Sequence, residues 1–474
     1  MAGDTRLTQP RSFSDPAAGN APNTAPRNAA PIPAAELPPP SFHVDVAIAG
    51  GGLAGLALAA GLQSRGVEAA VFEAAPALRS SNSTVLVIWP NGAAALDGIL
   101  PGLSASVARH GTLPRGGGEA EAGETGGTGG AGEAGEAGRA WEAGGVRGAV
   151  GLGEGSEESG RSEVEAVNVV CEVAGSNPGE KQLVVVRAKV LVGADGVRSA
   201  VRDQMIGDSP RFLNQIAWNS FLSTPVDVSS PTDVSSSRES REAAVPELTA
   251  LIDEVTGCSA IFITLKNGER FWQVRYVDYE MDPTLQGTPF AGFGSKHNIK
   301  ARLLPLIQTN LPHHPLWERA FQEASSTPEN LIFERRQLDR PPPADSWSDP
   351  VCGNRVVLIG DAAHAMDPGP GQGALTGFED AHQLSLCLGE AWDPDLLTKP
   401  AAVAAAVWEF EARRIARCVK VHRHATGLIG YGEEGREFKS RSVEHQMKAS
   451  MELTRWMYSY PDKIDGDPES NFFK

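Results

Sequence analysis

Six residues early in the chain could do chemistry with their backbone alone. Gly50-Gly51-Gly52-Leu53-Ala54-Gly55 fits G-x-G-x-x-G. In that pattern the first glycine permits a tight turn out of a strand, the second lets a pyrophosphate come close to the backbone, and the third lets the following helix pack on the strand. Glu73 stands about 20 positions further on, where an acid can take both hydroxyls of a ribose. The chemistry is therefore recognition of a dinucleotide at the positive end of a helix. A glycine-rich turn in an ordinary α/β core is the bland alternative, and this unit by itself does not separate NAD from FAD.

Two later stretches have the same character. In "VLVGADGVRSAVR", Val190 to Arg202, an apolar strand runs into Asp195-Gly196. Asp-Gly after a strand is also a common turn. In "VLIGDAAHAMDPGPGQGALTGFEDA", Val357 to Ala381, an apolar lead-in reaches Gly360-Asp361, then His364, then Pro368 and a Pro/Gly loop, then an alanine-rich segment with Glu379 and Asp380. Pro368 to Gly371 cannot lie inside a helix, and a surface loop has no need of so apolar an approach. The pattern asks for backbone on one side of a bound group and a single carboxylate on the other.

The elements that must position these residues are legible. Val44, Val46 and Ile48 open a buried strand, Leu53 to Leu62 give an apolar helix, and Ala70–Phe72 lead to Glu73. This is one βαβ unit. "VEAVNVVCEVAG" and "KQLVVVRAKVLVGADG" read as successive strands. In "RFWQVRYV", Phe271, Gln273, Arg275 and Val277 alternate with Trp272, Val274 and Tyr276. Core packing is the default reading of those aromatics, and lining of a substrate pocket is the sharper one. A long helix is expected from Pro400 to about Gly427.

Composition bounds the rest. The chain has 474 residues, enough for two or three packed domains. The formal charge is −17 and the pI near 5.1, which argues against nucleic-acid or anionic-membrane binding. Residues 116–163 hold ten Glu against three Arg, a local −7, in a Gly/Glu/Ala tract with almost no apolar periodicity. Five scattered cysteines without Cys-x-x-Cys spacing read as reduced thiols in an intracellular, cytoplasmic or organellar compartment. Neither a zinc cluster nor a paired-carboxylate or Ser-His-Asp set is visible. No run approaches a membrane span, and the N-terminus has no hydrophobic signal core. Arg6, Arg11 and Arg27 allow an organellar transit segment, and Asp4, Asp15 and Glu36 count against one.

The expected organisation is a disordered tail over 1–41, a first nucleotide-binding segment over 42–115, a low-complexity insertion over 116–163 and a second nucleotide-binding segment over 164–210. A substrate domain over 211–349 follows, with a Ser-rich loop at 223–242. Residues 350–430 form the third nucleotide-binding segment with its helix, and 431–474 a C-terminal extension.

Taken together, "GGGLAG…FEAAP", "GADGVRSAVR" and "GDAAHAMDPGPGQGALTGFEDA" resemble the class A flavoprotein monooxygenases, of the p-hydroxybenzoate hydroxylase fold. "IFERRQLDRPP", "HAMDP" and "FEARRIAR" look most like the zeaxanthin epoxidase and salicylate hydroxylase branch. The resemblance implies an α/β fold: a Rossmann-like FAD-binding domain, an interrupting mixed-sheet substrate domain and a C-terminal helical part. It implies FAD as cofactor, with NAD(P)H and O2 as co-substrates, and hydroxylation or epoxidation of a small organic or isoprenoid molecule through a flavin hydroperoxide.

Carried over by motif, the FAD contacts would be Gly50, Gly52, Leu53, Ala54, Gly55, Glu73, Arg79, Asp195, Asp361, Pro368, Gly371, Gln372, Gly373 and Ala374. Asp361 would meet the ribityl chain, and Gly371 to Gly373 the pyrimidine edge. His364 reads as structural before catalytic, and no catalytic side chain is assigned. The Arg-x-x-Leu helix of the family is not found, and the tract at 116–163 stands in its place. An FAD-binding protein without turnover, or an FAD-dependent reductase on the same fold, are the alternative functions.

Overall fold

Apolar residues on both faces of a short strand require a place inside a parallel sheet. The strand β1 (Phe42–Ala49) has that pattern over Val46, Ala47, Ile48 and Ala49, all buried. A computed structural model of the chain describes residues 39–75, 85–111, 141–142, 150–152, 166–174, 181–222, 247–253, 258–265, 269–277, 298–391, 399–428 and 432–462.

In it β1 pairs in parallel with β2 (Ala69–Glu73), which pairs with β3 (Trp141–Glu142). On its other side β1 pairs with the long β6 (Lys181–Gly193). The antiparallel strands β4 (Val150–Leu152) and β5 (Val167–Ala174) extend the sheet beyond the first half of β6. A second sheet is antiparallel, in the order β11-β7-β10-β9-β8. Its strands are β7 (Arg211–Leu222), β8 (Glu247–Asp253), β9 (Cys258–Thr264), β10 (Arg270–Val277) and β11 (Phe333–Asp339). The chain then returns to the first sheet with β12 (Val356–Leu358), parallel to the end of β6.

Helices cover both sheets. On the first lie α1 (Leu53–Gln63), α2 (Pro90–Ile99) and α3 (Leu103–His110), with the short α4 (Ala200–Met205) after β6. The second sheet buries Trp218, Trp272, Val274 and Phe262 against α5 (Ile299–Asn310) and α6 (Leu316–Ser326). Trp272 is thus core, as the default reading of "RFWQVRYV" has it. The return segment forms α7 (Asp361–His364) and α8 (Gly373–Glu390), the latter packed on α1 and α2.

The helix expected near 400 is α9 (Pro400–Leu428). Its buried stripe, Val403, Val407, Phe410, Arg414, Arg417 and Val421, keeps helical spacing but contains two arginines. The helices α10 (Gly432–Ser440) and α11 (Val443–Tyr458) follow, and Trp456, Met457 and Tyr460 bury back against the body.

Two strands, β3 and β4, fall within 116–163; the remainder of that tract lies outside the described residues, as do residues 1–38, the Ser-rich loop 223–242 and Arg79. Arg109, on α3, is exposed. All five cysteines are free and buried. Among the described residues no helix is long and apolar enough to cross a membrane.

Candidate active site

Parallel strands end together, and the turns leaving their carboxyl ends converge on one crevice. Here β1, β6 and β12 deliver Gly50, Ala194-Asp195 and Gly360-Asp361 to the same edge. Ala194 N–H donates to Ala49 O at 2.8 Å, and Ile359 N–H to Gly193 O at 3.0 Å. Gly50 has φ +107°, and a Cβ there would stand 2.4 Å from Ala194 O. The conformation and the approach both require glycine. At Gly55 a Cβ would stand 2.1 Å from Gly50 O, which is how closely α1 approaches the strand end. At Gly52 it would meet nothing within 4 Å, so this glycine faces open space. Leu53 is exposed and Ala54 half-buried beside Gly360.

Glu73 lies across this turn. Its Oε2 accepts from Gly51 N–H at 2.7 Å and its Oε1 from Ala75 N–H at 2.8 Å. Asp195 accepts from Ala200 N–H at 2.7 Å through Oδ2, while Oδ1 is buried without a partner. Burial pushes its carboxyl upward against the pull of these bonds and of Ser199. Asp361 is exposed at the start of α7, on the floor of the crevice, where desolvation by the surrounding protein raises its pKa. Pro368 and Gly369 are exposed, and Gly371 and Gly373 half-buried. A Cβ on Gly373 would be 3.9 Å from Asp361 Oδ1. The N-terminus of α8 has no side-chain cap. Its first N–H groups, those of Gly373 and Ala374 included, have no carbonyl partner within the helix and face the loop.

Behind the crevice lies a buried charge network. Asp380 accepts from Gly360 N–H at 2.8 Å and from Arg414 Nε at 2.7 Å, and meets His364 Nε2 at 2.6 Å. Glu379 accepts from Arg414 Nη1 and Arg417 Nε, each at 2.6 Å, and from Asn91 Nδ2 at 2.9 Å. Asn91 Nδ2 also reaches Gln372 Oε1 at 2.9 Å. Gln372 is thereby pinned by its side chain, which leaves its backbone to the loop.

Burial opposes ionisation of Asp380, but His364 and Arg414 hold it down at about 2. Burial likewise opposes charging of His364, yet Cys418 and Asp380 carry it well above 6.5. His364 is fully buried and works as a counter-ion, which agrees with its structural reading. His364, Asp380 and Cys418 bring ligand-type atoms within 4.8 Å of one another. Arg414 donates to both Asp380 and Cys418 Sγ, so a guanidinium cation already occupies the position beside them and repels a second cation.

Sequence reasoning missed Asn91, Arg414 and Arg417, and also the aromatic pair beside the loop. Trp89 stacks on Tyr458 with centroids 5.8 Å apart, and its Nε1 would lie 3.0 Å from a Cβ on Gly371. Helical spacing within α9 could have flagged the two arginines as inward-facing. Nothing local could have flagged Tyr458.

Two buried histidines make the fold acid-sensitive. Burial lowers His424 to about 4, and burial with Arg65 and Arg414 lowers His382 to about 4. A depressed histidine stabilises the fold above its unfolded value, near 6.5, and that stability is lost as pH falls toward 4. His364 has the opposite sign: its contribution is complete below 6.5 and is lost as pH rises. The melting temperature is therefore expected to fall between pH 6.5 and 4. The His424→Phe variant should lose less over that window, by at most about 3 kcal/mol. Parallel melting curves for the two proteins would refute the assignment.

The comparisons with known proteins agree with this geometry. The FAD binding domain family model matches residues 319–397. The chain is thus similar to FAD-dependent monooxygenases, and the match to an FAD-binding domain agrees with FAD as the cofactor. It is 26% identical to 3-amino-4-hydroxybenzoate 2-monooxygenase of Streptomyces cremeus, over 90% of this chain and 98% of that one. It is 27% identical to the chloroplastic zeaxanthin epoxidase of Capsicum annuum, over 49% of this chain but only 30% of that enzyme's own length. A variant of Klebsiella pneumoniae HpxO solved with FAD shares the fold, with a TM-score of 0.53 at 16% identity, covering 89% of this chain and 98% of that one.

Proposed function

We propose that the chain is an FAD-dependent monooxygenase that takes reducing equivalents from NAD(P)H and oxygen from O2, and hydroxylates or epoxidises a small organic substrate. The observation that carries this reading is the meeting of three separate turns, Gly50–Gly55, Ala194-Asp195 and Gly360-Asp361, at the carboxyl edge of one sheet. The residues fit the cofactor. Gly52 leaves open space where a pyrophosphate would approach, and the helix start behind it favours negative charge. Asp195 has a buried carboxylate oxygen with no partner, and the start of α8 is uncapped.

FAD bound here supplies the hydride acceptance and oxygen activation that side chains lack. The chain's own part is to bind and orient. Gly50, Gly52, Leu53, Ala54 and Gly55 would hold the pyrophosphate, and Glu73 would exchange the Gly51 N–H for ribose hydroxyls. Asp361 would accept from the ribityl chain. Gly371, Gln372, Gly373 and Ala374 would turn backbone N–H groups to the pyrimidine edge and favour the negative charge that develops there on reduction. Pro368 would keep the loop open for the flat ring. Arg79 and Asp195 enter on their motifs.

The purified protein should be yellow, or become so with FAD. It should oxidise NAD(P)H and place an atom of labelled O2 in the product. A protein that stays colourless after incubation with FAD would sink the reading, and products without label would turn it to a reductase. Glu73→Ala should weaken FAD binding about tenfold or more, since a carboxylate bond to hydroxyls is charge-assisted.

A further inference from the structure

The helix α11 is anchored to the body by one face. Ala449, Leu453, Trp456 and Met457 are buried. Arg417 donates to Met457 O at 2.8 Å and lies over the Trp456 ring at 4.6 Å. Ser442 caps the helix start, accepting from His445 N–H at 3.2 Å. A helix held in this way should be polar on its outer face, and this one is only partly so. Val443, Met447 and Met451, spaced i, i+4 and i+8, are 69%, 60% and 54% exposed. Single exposed apolar side chains need no explanation, but a row of them along one side of a helix does.

Charged residues occupy the adjoining side. Glu444, Lys448, Glu452 and Arg455 are exposed, and among the described residues none of the four has an ion-pair partner. At about 100° per residue the order around the helix is Val443, Met447, Met451, then Glu444, Arg455, Lys448 and Glu452. The pattern is self-complementary. Glu444 with Arg455, Lys448 with Glu452, and Met447 with Met451 all have their midpoints at Ala449-Ser450. When two such helices pack antiparallel about a two-fold axis at that level, like sides meet. Glu444 then faces the partner's Arg455, Lys448 faces the partner's Glu452, and the methionines face one another. A parallel two-fold pair would set the charged side against the apolar one. The helix dipole favours an acid at the start and a base at the end. It accounts for Glu444 and Arg455, but not for Lys448, Glu452 or the apolar row.

We infer that this face of α11 is an interface with a second copy of the chain, the two helices packing antiparallel about an axis at Ala449-Ser450. The contact is isologous, so each charge pair occurs twice. A membrane surface fits the face less well. Helices that lie on lipid carry basic residues beside the apolar stripe, whereas this one carries two acids and two bases on a chain of formal charge −17. One helix from each copy supplies the contact, so the dimer should exchange with monomer rather than be permanent. The inference is independent of the monooxygenase reading.

The test is sedimentation velocity on the purified full chain, over a concentration series at low and at high salt. The wild type should show a monomer–dimer equilibrium that weakens as salt rises. Arg455→Glu and Glu444→Arg should each raise the dissociation constant about tenfold, because two attractions become two repulsions. The double variant Glu444→Arg/Arg455→Glu should return it close to the wild-type value, which a merely local effect on the helix would not do. Met447→Ser/Met451→Ser should leave only monomer. The substituted side chains are all exposed, so the circular dichroism of every variant should match the wild type. A wild type that is monomeric at every concentration, a dimer insensitive to the single reversals or to the methionine changes, or a double variant that stays dissociated would each overturn the assignment. A monomer that instead pellets with phosphatidylcholine vesicles would overturn it and give the face to lipid. A protein that dimerises through these residues yet stays colourless with FAD would count against the flavin reading and leave the interface standing.

Discussion

Arg414→Met is expected to destabilise the protein by about 3–5 kcal/mol, the cost of leaving buried carboxylates without their partner. The Arg414 side chain is wholly buried and donates to Glu379, Asp380, Thr376 O and Cys418 Sγ. Methionine fills similar volume but offers no proton. Glu379 retains Arg417, and Asp380 retains His364 and Gly360 N–H. The second carboxylate is the more exposed to the loss, because Arg414 and His364 together offset its burial. The same oxygen that meets His364 accepts from Gly360, so the turn that carries Asp361 should loosen as well. Denaturant titration would give the stability change, and flavin retained after dilution would report the turn. Adding Asp380→Asn to Arg414→Met should recover part of the loss by removing the uncompensated charge. A loss below about 1 kcal/mol in the single variant would mean that water reaches the network and replaces the arginine.

Gly55→Ala should cost about 3 kcal/mol and abolish FAD retention. The added Cβ would stand 2.1 Å from Gly50 O and 3.3 Å from Ile48 Cγ2. The first of these is backbone, so no rotamer change relieves it, and the helix must move away from the strand end. The proposed pyrophosphate site is built from that spacing. Gly52→Ala is the informative contrast. Its Cβ meets nothing within 4 Å, and the backbone there is extended with φ −75°. That variant should keep the stability of the FAD-free protein while losing FAD. If it binds FAD as the wild type does, the pyrophosphate does not lie over Gly52. Flavin absorbance per protein, with melting curves of the FAD-free forms, separates the two effects.

These two experiments probe parts of the site that differ in how far the sequence revealed them. Gly55 is announced by its spacing, because strand, turn and helix are contiguous and their geometry is local. The same holds for Glu73 and Asp361, each delivered by a strand end that apolar runs make plain. Arg414 is different. It lies in an alanine- and arginine-rich helix whose charges look solvated, and only the acids on α8 turn it inward. The Gly/Glu/Ala tract is a third case. No periodicity marks Trp141-Glu142, yet these residues extend the parallel sheet beside Phe72-Glu73. Edge pairing needs only backbone, which composition does not report.

The sequence by itself determined the cofactor-binding architecture: a βαβ unit with its glycines, an Asp-Gly turn, and a Gly-Asp turn followed by a loop and a helix. Backbone recognition of a large flat cofactor depends on local conformations that glycine and proline impose directly. The tertiary structure alone decided the buried Glu379-Asp380-Arg414-Arg417 network. Its members come from separate helices, and burial gives each charge its meaning only once the elements pack. Whether an arginine is a solvated surface charge or a counter-ion in the core is set by which acids the fold brings near it.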